Sequence, residues 1–188
     1  MGELHNPIPV KLFIGIIYSD ANVADKIQTI LEEKFGNMDF ISPAWPFTYT
    51  KYYTPEMGET LWKKFYAFEK LIDPVEIADI KLYTNDIESQ YINDNNGRIA
   101  NLDPGYLTAA KVILATTKDF SHRIYLQKGI YAEITMHYKK GKGFCFSKWT
   151  YPDFQSENYT NYFYTLREKF MRQLASLKKN HIQTCLPE

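Results

Sequence analysis

A dense group of charged and polar side chains lies within the otherwise apolar stretch from Arg98 to Glu133. Asp103, His122 and Glu133 belong to residue types that act as general acids and bases, and they are the candidate catalytic residues. Burying a charge costs free energy unless the charge is paired, so these residues either neutralise one another or line a cavity. The pattern therefore predicts a pocket, with ordinary ion pairs on an open sheet as the alternative.

The cationic members of this group indicate the ligand that such a pocket would take. Arg98, Lys118 and Arg123 supply positive charge, and a guanidinium group suits bidentate contact with phosphate or carboxylate. Hydroxyl groups at the end of a predicted strand add further donors. The sequence thus predicts a ligand-binding domain, enzymatic or not, for a phosphorylated or nucleotide-like small molecule. The predicted ligand contacts are Arg98, Asn101, Thr117, Lys118, Arg123 and Tyr49.

No established catalytic or metal-binding motif accompanies these residues. The sequence has no G-x-x-x-x-G-K-[ST] phosphate loop, no G-x-G-x-x-G after a strand and no G-x-S-x-G elbow. Its four histidines are not spaced as metal ligands with one another or with cysteine. Asp103 and Glu133 could together hold Mg²⁺, but no residue is assigned as a metal ligand, and the cofactor stays unknown.

Aromatic residues are abundant, with 15 Tyr, 12 Phe and 3 Trp. The segment from Pro43 to Tyr53, which includes Tyr49 and Tyr52, is too irregular for a helix and too aromatic for a solvated loop. Its tyrosines either stack on a base or sugar or fill the edge of a core. The segment supports a second hypothesis, a non-catalytic protein-interaction module that uses residues 43–53 as its partner surface.

The balance of charge limits the partners that the protein attracts. Lys and Arg together number 22, and Asp and Glu together also number 22. No general electrostatic attraction therefore draws the protein to nucleic acid or to an anionic membrane. An RNA-associated accessory factor is accordingly only the third hypothesis.

Three features favour the cytoplasm and argue against a membrane partner. Residues Met1–Lys11 lack the basic and long apolar regions of a secretion signal. The apolar run Leu12–Tyr18 is about a third of the roughly 20 residues that cross a bilayer. The two cysteines, Cys145 and Cys185, are interpreted as reduced thiols.

The elements that position the charged group begin with a strand, a helix and a second strand. Residues 11–19 are apolar and rich in Ile, and they end at Ser19-Asp20, a typical helix N-cap. Apolar residues then recur at helical spacing until Gly36, where a left-handed C-cap is expected. Residues 38–42 are the predicted second strand.

Two further helices are predicted before the charged group. The first covers residues 54–72, with an N-cap and a proline at its start and an apolar stripe along its length. The second covers residues 76–91, for which a strand is the alternative. Within it, Lys81, Asn85 and Glu88 share a polar stripe, which predicts a solvated face.

The second half of the chain predicts short strands and a long terminal helix. Asp103-Pro104-Gly105-Tyr106 predicts a turn with one helical turn. Apolar residues at helical spacing predict a C-terminal helix over residues 159–177. The predicted strands cover residues 98–102, 111–118, 121–126, 130–138 and 144–149, the last two as a hairpin.

Together these elements predict an α+β (mixed α/β) fold. One mixed, largely antiparallel sheet contains the opening strand–helix–strand unit, and the helices, including the long C-terminal one, pack on it. No linker-like stretch divides residues 1–188, so a single domain is expected. Residues 1–8 and 180–188 are expected to be flexible at its ends.

Segments along nearly the whole chain match a known family. They are Pro9-Val10-Lys11-Leu12, Phe47-Thr48-Tyr49-Thr50, Tyr53, Glu56-Met57-Gly58, Ile80-Lys81, Thr84-Asn85, Ile87-Glu88, Asn101-Leu102-Asp103-Pro104-Gly105-Tyr106-Leu107, Ala115-Thr116-Thr117-Lys118-Asp119, His122-Arg123-Ile124-Tyr125-Leu126, Gly129-Ile130-Tyr131-Ala132-Glu133 and Trp149-Thr150-Tyr151-Pro152-Asp153. On these segments the chain resembles a family of uncharacterised prokaryotic proteins of about this length, classed as a domain of unknown function.

Some members of that family carry a GTP-binding label. Guanine-specific nucleotide switches need a phosphate loop and a base-reading N/T-K-x-D motif. Thr117-Lys118-Asp119 resembles the second motif but lacks its intervening residue. GTP would therefore have to bind by a different architecture.

Overall fold

Nine strands and four α-helices form the part of the protein that the structure describes. This structure is a computed structural model that describes residues 2–184, with the side chains of residues 2–177. In chain order the elements are β1 (Val10–Tyr18), α1 (Ala21–Phe35), β2 (Met38–Ile41), β3 (Trp45–Pro46), α2 (Thr54–Met57), β4 (Trp62–Ile72), α3 (Ile77–Gln90), β5 (Ala100–Leu107), β6 (Lys111–Thr116), β7 (Ile124–Gln127), β8 (Ile130–Lys139), β9 (Gly143–Phe146) and α4 (Glu157–Thr184).

All of these strands join one open sheet. Their order is β2-β4-β1-β5-β6-β8-β7, with β3 beside β4 and β9 beside β8. Every described pair of neighbours is antiparallel. β1 and β2 run in the same direction because each is antiparallel to β4, which lies between them. Since α1 connects β1 to β2, the predicted strand–helix–strand unit and the α+β fold are confirmed.

Strand β1 lies at the centre of the core on both faces of the sheet. All nine of its residues are buried, as expected for a strand that is covered on both sides, and its one charged residue, Lys11, is paired with Asp39 at 2.6 Å. On one face Leu12 and Ile14 pack with residues of α1 and α3. On the other face Phe13 packs with Phe65 of β4 and with residues of α4. The sheet is thus the middle layer of three.

The predicted helix over residues 54–72 is wrong. Only Thr54–Met57 is helical, and after Gly58 the chain forms strand β4. The run Trp62-Lys63-Lys64-Phe65-Tyr66-Ala67-Phe68 is rich in aromatic residues, which favour strands. Because β4 lies between β1 and β2, several consecutive residues are buried, and the alternation that would reveal a strand is lost.

The predicted turn at residues 103–106 is also wrong, because these residues lie within β5 and pair with β1. A proline has no N–H to donate and is tolerated where a strand lacks a ladder partner. Pro104 meets this condition on the side away from β1, since β6 pairs only with Gly105–Leu107 of β5. Pro104 thereby marks the point at which β5 and β6 separate.

The remaining predicted elements are confirmed, with shifted ends. Residues 77–90 form a helix rather than the alternative strand. β8 and β9 form the predicted hairpin, and α4 is the long C-terminal helix. Two predictions concern residues that the structure does not fully describe: the flexibility of residues 180–188 and the reduced state of Cys185. The side chains of these residues lie outside the described part of the chain, and so does the backbone from residue 185 onward. Among the described helices, none is both long and apolar enough to span a membrane.

Candidate functional site

The sheet opens between β5 and β6, and this opening holds the candidate site. β5 pairs with β1 along Ala100–Leu107 but with β6 only along Gly105–Leu107. After Leu114, β6 pairs with β8 alone. Helix α3 contacts both β5 and β6 and lies over the opening on one face. A cavity of about 170 Å³ occupies this space.

Most of the predicted site residues meet at this cavity. Two of them, Tyr49 and His122, do not line it. Tyr49 packs its ring against Tyr159, with 6.4 Å between centroids. His122 stacks on Trp149 at 5.0 Å, and its Nε2 lies 3.1 Å from Oε2 of Glu133, a residue of the wall. The predicted residues that line the cavity are Arg98, Asn101, Asp103, Thr117, Lys118, Arg123 and Glu133.

Sequence reasoning missed the side of the cavity that α3 provides. Lys81, Asn85 and Glu88 line it, and Lys81 and Glu88 are only 6% and 5% exposed. The predicted solvated face for this stripe is wrong, because α3 lies over the gap between two diverging strands. The sequence did show three polar residues on one face of the helix. That this face is buried follows only from its position against β5 and β6, which the sequence does not reveal.

Arg98 connects two carboxylates at the edge of the cavity. Its Nε and Nη2 donate to the two oxygens of Glu56 at 2.7 and 2.8 Å. Its Nη1 donates to Glu88 Oε2 at 2.8 Å and to Asn101 Oδ1 at 2.9 Å. The hydrogen bonds from Arg98 hold the pKa of the Glu56 carboxyl below its usual range. Each side-chain nitrogen of Arg98 therefore already has a partner, and the residue holds Glu56, Glu88 and Asn101 in place at the cavity wall.

Glu88 and Lys81 fasten α3 to β5 beside the cavity. Glu88 Oε1 accepts a hydrogen bond from the backbone N–H of Leu102 at 2.8 Å, and Lys81 Nζ donates to the Leu102 carbonyl at 2.6 Å. Burial raises the pKa of the Glu88 carboxyl, against the opposing effects of Lys81, the Leu102 N–H and Arg98. The helix is thus held to the strand by buried charged groups that depend on one another.

Asp103 contributes an ionised carboxylate from β5. Its Oδ2 accepts a hydrogen bond from Lys63 Nζ at 3.2 Å, and Lys63 is 1% exposed. Burial alone would raise the pKa of the Asp103 carboxyl, but Lys63 and Lys81 together hold it below its usual range. A carboxylate in this state accepts hydrogen bonds or a proton, and it is a poor proton donor.

Arg123 and Glu133 fix the opposite wall. The side chain of Glu133 is 1% exposed, and its Oε2 accepts a hydrogen bond from Arg123 Nε at 2.8 Å. The other two nitrogens of Arg123 donate to the Lys118 carbonyl at 3.0 Å and to the Tyr151 hydroxyl at 2.9 Å. Arg123 thus joins the loop after β6 to β8.

Comparison with known proteins agrees with the resemblance seen in the sequence. A family model described as a domain of unknown function (DUF4416) matches residues 8–170. The chain belongs to this family. No curated protein and no solved structure matches the chain. The description of the DUF4416 family names neither a ligand nor a reaction.

Two donors of this DUF4416 domain are left open toward the cavity. Lys118 Nζ donates to the Tyr52 hydroxyl at 3.0 Å and lowers the pKa of that phenol, and the described residues supply it with no carboxylate. The side-chain nitrogen of Asn101 is buried and has no hydrogen-bond partner among the described residues. These two groups are the ones that a bound molecule would satisfy.

The carboxylates of the DUF4416 cavity are paired with cations. Within the described part of the chain, no group of three or more His, Cys, Asp or Glu side chains is placed to hold a metal ion. Asp103 is paired with Lys63, and Glu133 is paired with Arg123. Magnesium at Asp103 and Glu133 stays a prediction from the sequence.

Proposed function

We propose that the cavity between β5 and β6 binds a small phosphorylated molecule and that Lys118 contacts its phosphate group. The observation that carries the proposal is the cavity itself, a polar space inside the sheet. Lys118 is an exposed residue of its wall, and its hydrogen-bond partner is a tyrosine hydroxyl rather than a carboxylate. An ammonium group in this state attracts a phosphate and loses little by binding it.

The other cations of the wall are already engaged. Arg98 and Arg123 are hydrogen-bonded to carboxylates, and Lys81 donates to a backbone carbonyl. An anionic ligand would have to displace Glu56 or Glu88 from Arg98, and it would have to displace the Lys118 carbonyl or the Tyr151 hydroxyl from Arg123, whose charge Glu133 already balances. The cationic pocket predicted from the sequence is therefore narrowed, in this proposal, to Lys118 with neighbouring Thr117.

The size of the cavity limits the ligand. Its volume is about 170 Å³, whereas pockets for drug-sized ligands measure roughly 300–1,000 Å³. A single small metabolite, or the phosphorylated end of a larger one, fits this space. The proposal concerns binding, and a reaction that uses Asp103, His122 or Glu133 stays a prediction.

Replacement of Lys118 tests the proposal. The purified protein is heated with inorganic phosphate, sugar phosphates, nucleotides or Mg²⁺. A ligand at 100 times its dissociation constant adds about 2.7 kcal/mol, which raises the unfolding midpoint of a protein of this size by about 5–10 °C. We expect a shift of this size with phosphorylated compounds, and Lys118→Gln should remove most of it.

Lys142→Gln is the matched control. Lys142 is also an exposed lysine but does not line the cavity, so its loss should leave the shift unchanged. Arg123→Ala is a poorer test, because it would leave the buried Glu133 carboxylate without its arginine. Equal shifts in the Lys118 and Lys142 variants, or no shift with any phosphorylated compound, would contradict the proposal.

A protein-interaction module is the second candidate function, and residues 43–53 stay its predicted surface, since Tyr49 and Tyr52 are 42% and 60% exposed. Further support comes from Phe120, Ile124 and Tyr125, which are 64%, 70% and 58% exposed. The last two belong to β7, a strand at the edge of the sheet, where unpaired backbone groups favour association. The RNA-associated function and the cytoplasmic location stay predictions from the sequence.

A further inference from the structure

We infer that the ligand of the cavity is a phosphorylated sugar or polyol, bound through one of its hydroxyl groups to Asn101 and Asp103. This inference rests on the proposed function, and it adds the chemical class of the part of the ligand away from the phosphate. It assigns Asn101 as the residue that selects this class over inorganic phosphate and nucleotides.

Asn101 presents an unsatisfied donor in a fixed direction. The residue is 6% exposed, and its Oδ1 accepts a hydrogen bond from Arg98 Nη1 at 2.9 Å. Because the oxygen is held by Arg98, the amide cannot turn over without losing that bond. Its Nδ2 is buried and has no well-formed hydrogen bond to the described part of the chain, although the residue lines the cavity. Buried donors are costly to leave unpaired, so the missing acceptor is expected from a bound molecule.

Asp103 places an acceptor beside this donor. The Asn101 side chain faces the Asp103 carboxyl and lowers its pKa as a hydrogen-bond donor does, but the contact from Nδ2 falls outside the geometry of a well-formed hydrogen bond. One carboxylate oxygen of Asp103 is bonded to Lys63. A ligand group that both accepts from Asn101 and donates to Asp103 would satisfy both residues, and a hydroxyl group does this.

An anionic group is disfavoured at this end of the cavity. Asp103 is ionised, and Glu88 is a second carboxylate of the same wall. A phosphate oxygen would accept from Asn101, but its negative charge would be repelled by both carboxylates. The phosphate therefore belongs at Lys118, and the hydroxyl-bearing part belongs at Asn101. A triphosphate exceeds both the charge and the space available.

Calorimetric titration of the full chain with four probes tests this inference. The probes are D-ribose 5-phosphate, glycerol 3-phosphate, inorganic phosphate and GTP. The wild-type protein should bind the first two at least about tenfold more tightly than inorganic phosphate or GTP, the factor that one well-placed hydrogen bond to a charged partner supplies. Asn101→Ala should reduce this preference about tenfold and leave the affinity for inorganic phosphate within about twofold.

Two further variants keep the test decisive. Asn101→Asp retains the acceptor for Arg98 but loses the donor, so it should also lose the preference even if the alanine variant folds poorly. Asn95→Asp makes the same change at an exposed loop residue and should keep the preference. Phosphate binding without preference, tighter binding of GTP, or a preference that persists in both Asn101 variants would overturn this inference alone. No binding of any probe would overturn the proposed function as well.

Discussion

Arg98→Met is expected to lower the free energy of unfolding by about 3 kcal/mol at neutral pH, the lower end of the range for removing one partner of a buried ion pair. Glu88 is 5% exposed and would lose its arginine, and Glu56 would lose two hydrogen bonds. Lys81 remains 3.7 Å from Glu88 and limits the loss. The thermal midpoint should fall by roughly 6–12 °C.

The loss of unfolding free energy in Arg98→Met should become smaller as the pH is lowered. Burial raises the pKa of Glu88 in the folded protein, so its destabilising effect is present above that pKa and disappears as the pH falls and the carboxyl is protonated. Arg98 lowers the pKa of Glu56, a stabilising effect that is present above the ordinary glutamate pKa and lost as the pH falls through the folded value. Both effects predict that the unfolding free energies of the wild type and Arg98→Met differ most near pH 7 and less below about pH 4.

Lys128→Met is the control for Arg98→Met. Lys128 forms an ion pair with Asp79 in which the two side chains are 56% and 57% exposed. Exposed pairs contribute about 0–1 kcal/mol, so this variant should unfold nearly as the wild type does at every pH. Equal destabilisation of the two variants, or a deficit for Arg98→Met that grows in acid, would contradict the role given to Arg98.

Gly105→Ala is expected to destabilise the protein by about 3 kcal/mol, the upper end of the usual range for overpacking. Gly105 lies where β5 and β6 meet beside the cavity, and it pairs with Leu114. A Cβ there would collide with the backbone oxygen of Ile113 and lie 2.6 Å from Cζ of Phe13. A backbone oxygen within a ladder cannot turn aside, so the two strands would have to separate.

Urea denaturation measures this effect as a lower midpoint with an unchanged slope. Gly2→Ala is the control, because a Cβ at Gly2 has no atom within 4 Å. Its unfolding free energy should stay within about 0.5 kcal/mol of the wild-type value. If Gly105→Ala were as stable as the control, the close approach of β5 and β6 at this point would be wrong.

Much of the fold could be predicted because local patterns and tertiary structure agree. Helix α1 has an N-cap at Asp20 and ends at Gly36, whose φ of 88° lies in the positive range that favours glycine. β4 could not be predicted in the same way. Its apolar spacing also fits a helix, and the decisive fact, that it lies between β1 and β2, depends on contacts distant in sequence.

The sequence predicted many of the residues that line the cavity, but it did not predict the contacts among them. The stretch from Arg98 to Glu133 does supply much of the cavity wall. The sequence alone gave no reason to pair Arg98 with Glu56, which is 42 residues away, or with Glu88 on a helix that was expected to face solvent. Both arginines predicted as ligand donors are therefore engaged within the protein. Lys118 and Asn101 were predicted as ligand contacts too, but only the structure distinguishes these two donors from the engaged arginines.

The most direct test of the central claim is an NMR titration of the isotope-labelled protein with D-ribose 5-phosphate. If the cavity between β5 and β6 is the ligand site, the side-chain amide signal of Asn101 and the backbone amide signals of Thr117 and Lys118 should shift together and saturate with one dissociation constant. Signals of exposed residues such as Lys142 should stay in place. Saturable shifts confined to β7, or no saturable shift at Asn101, would contradict the account.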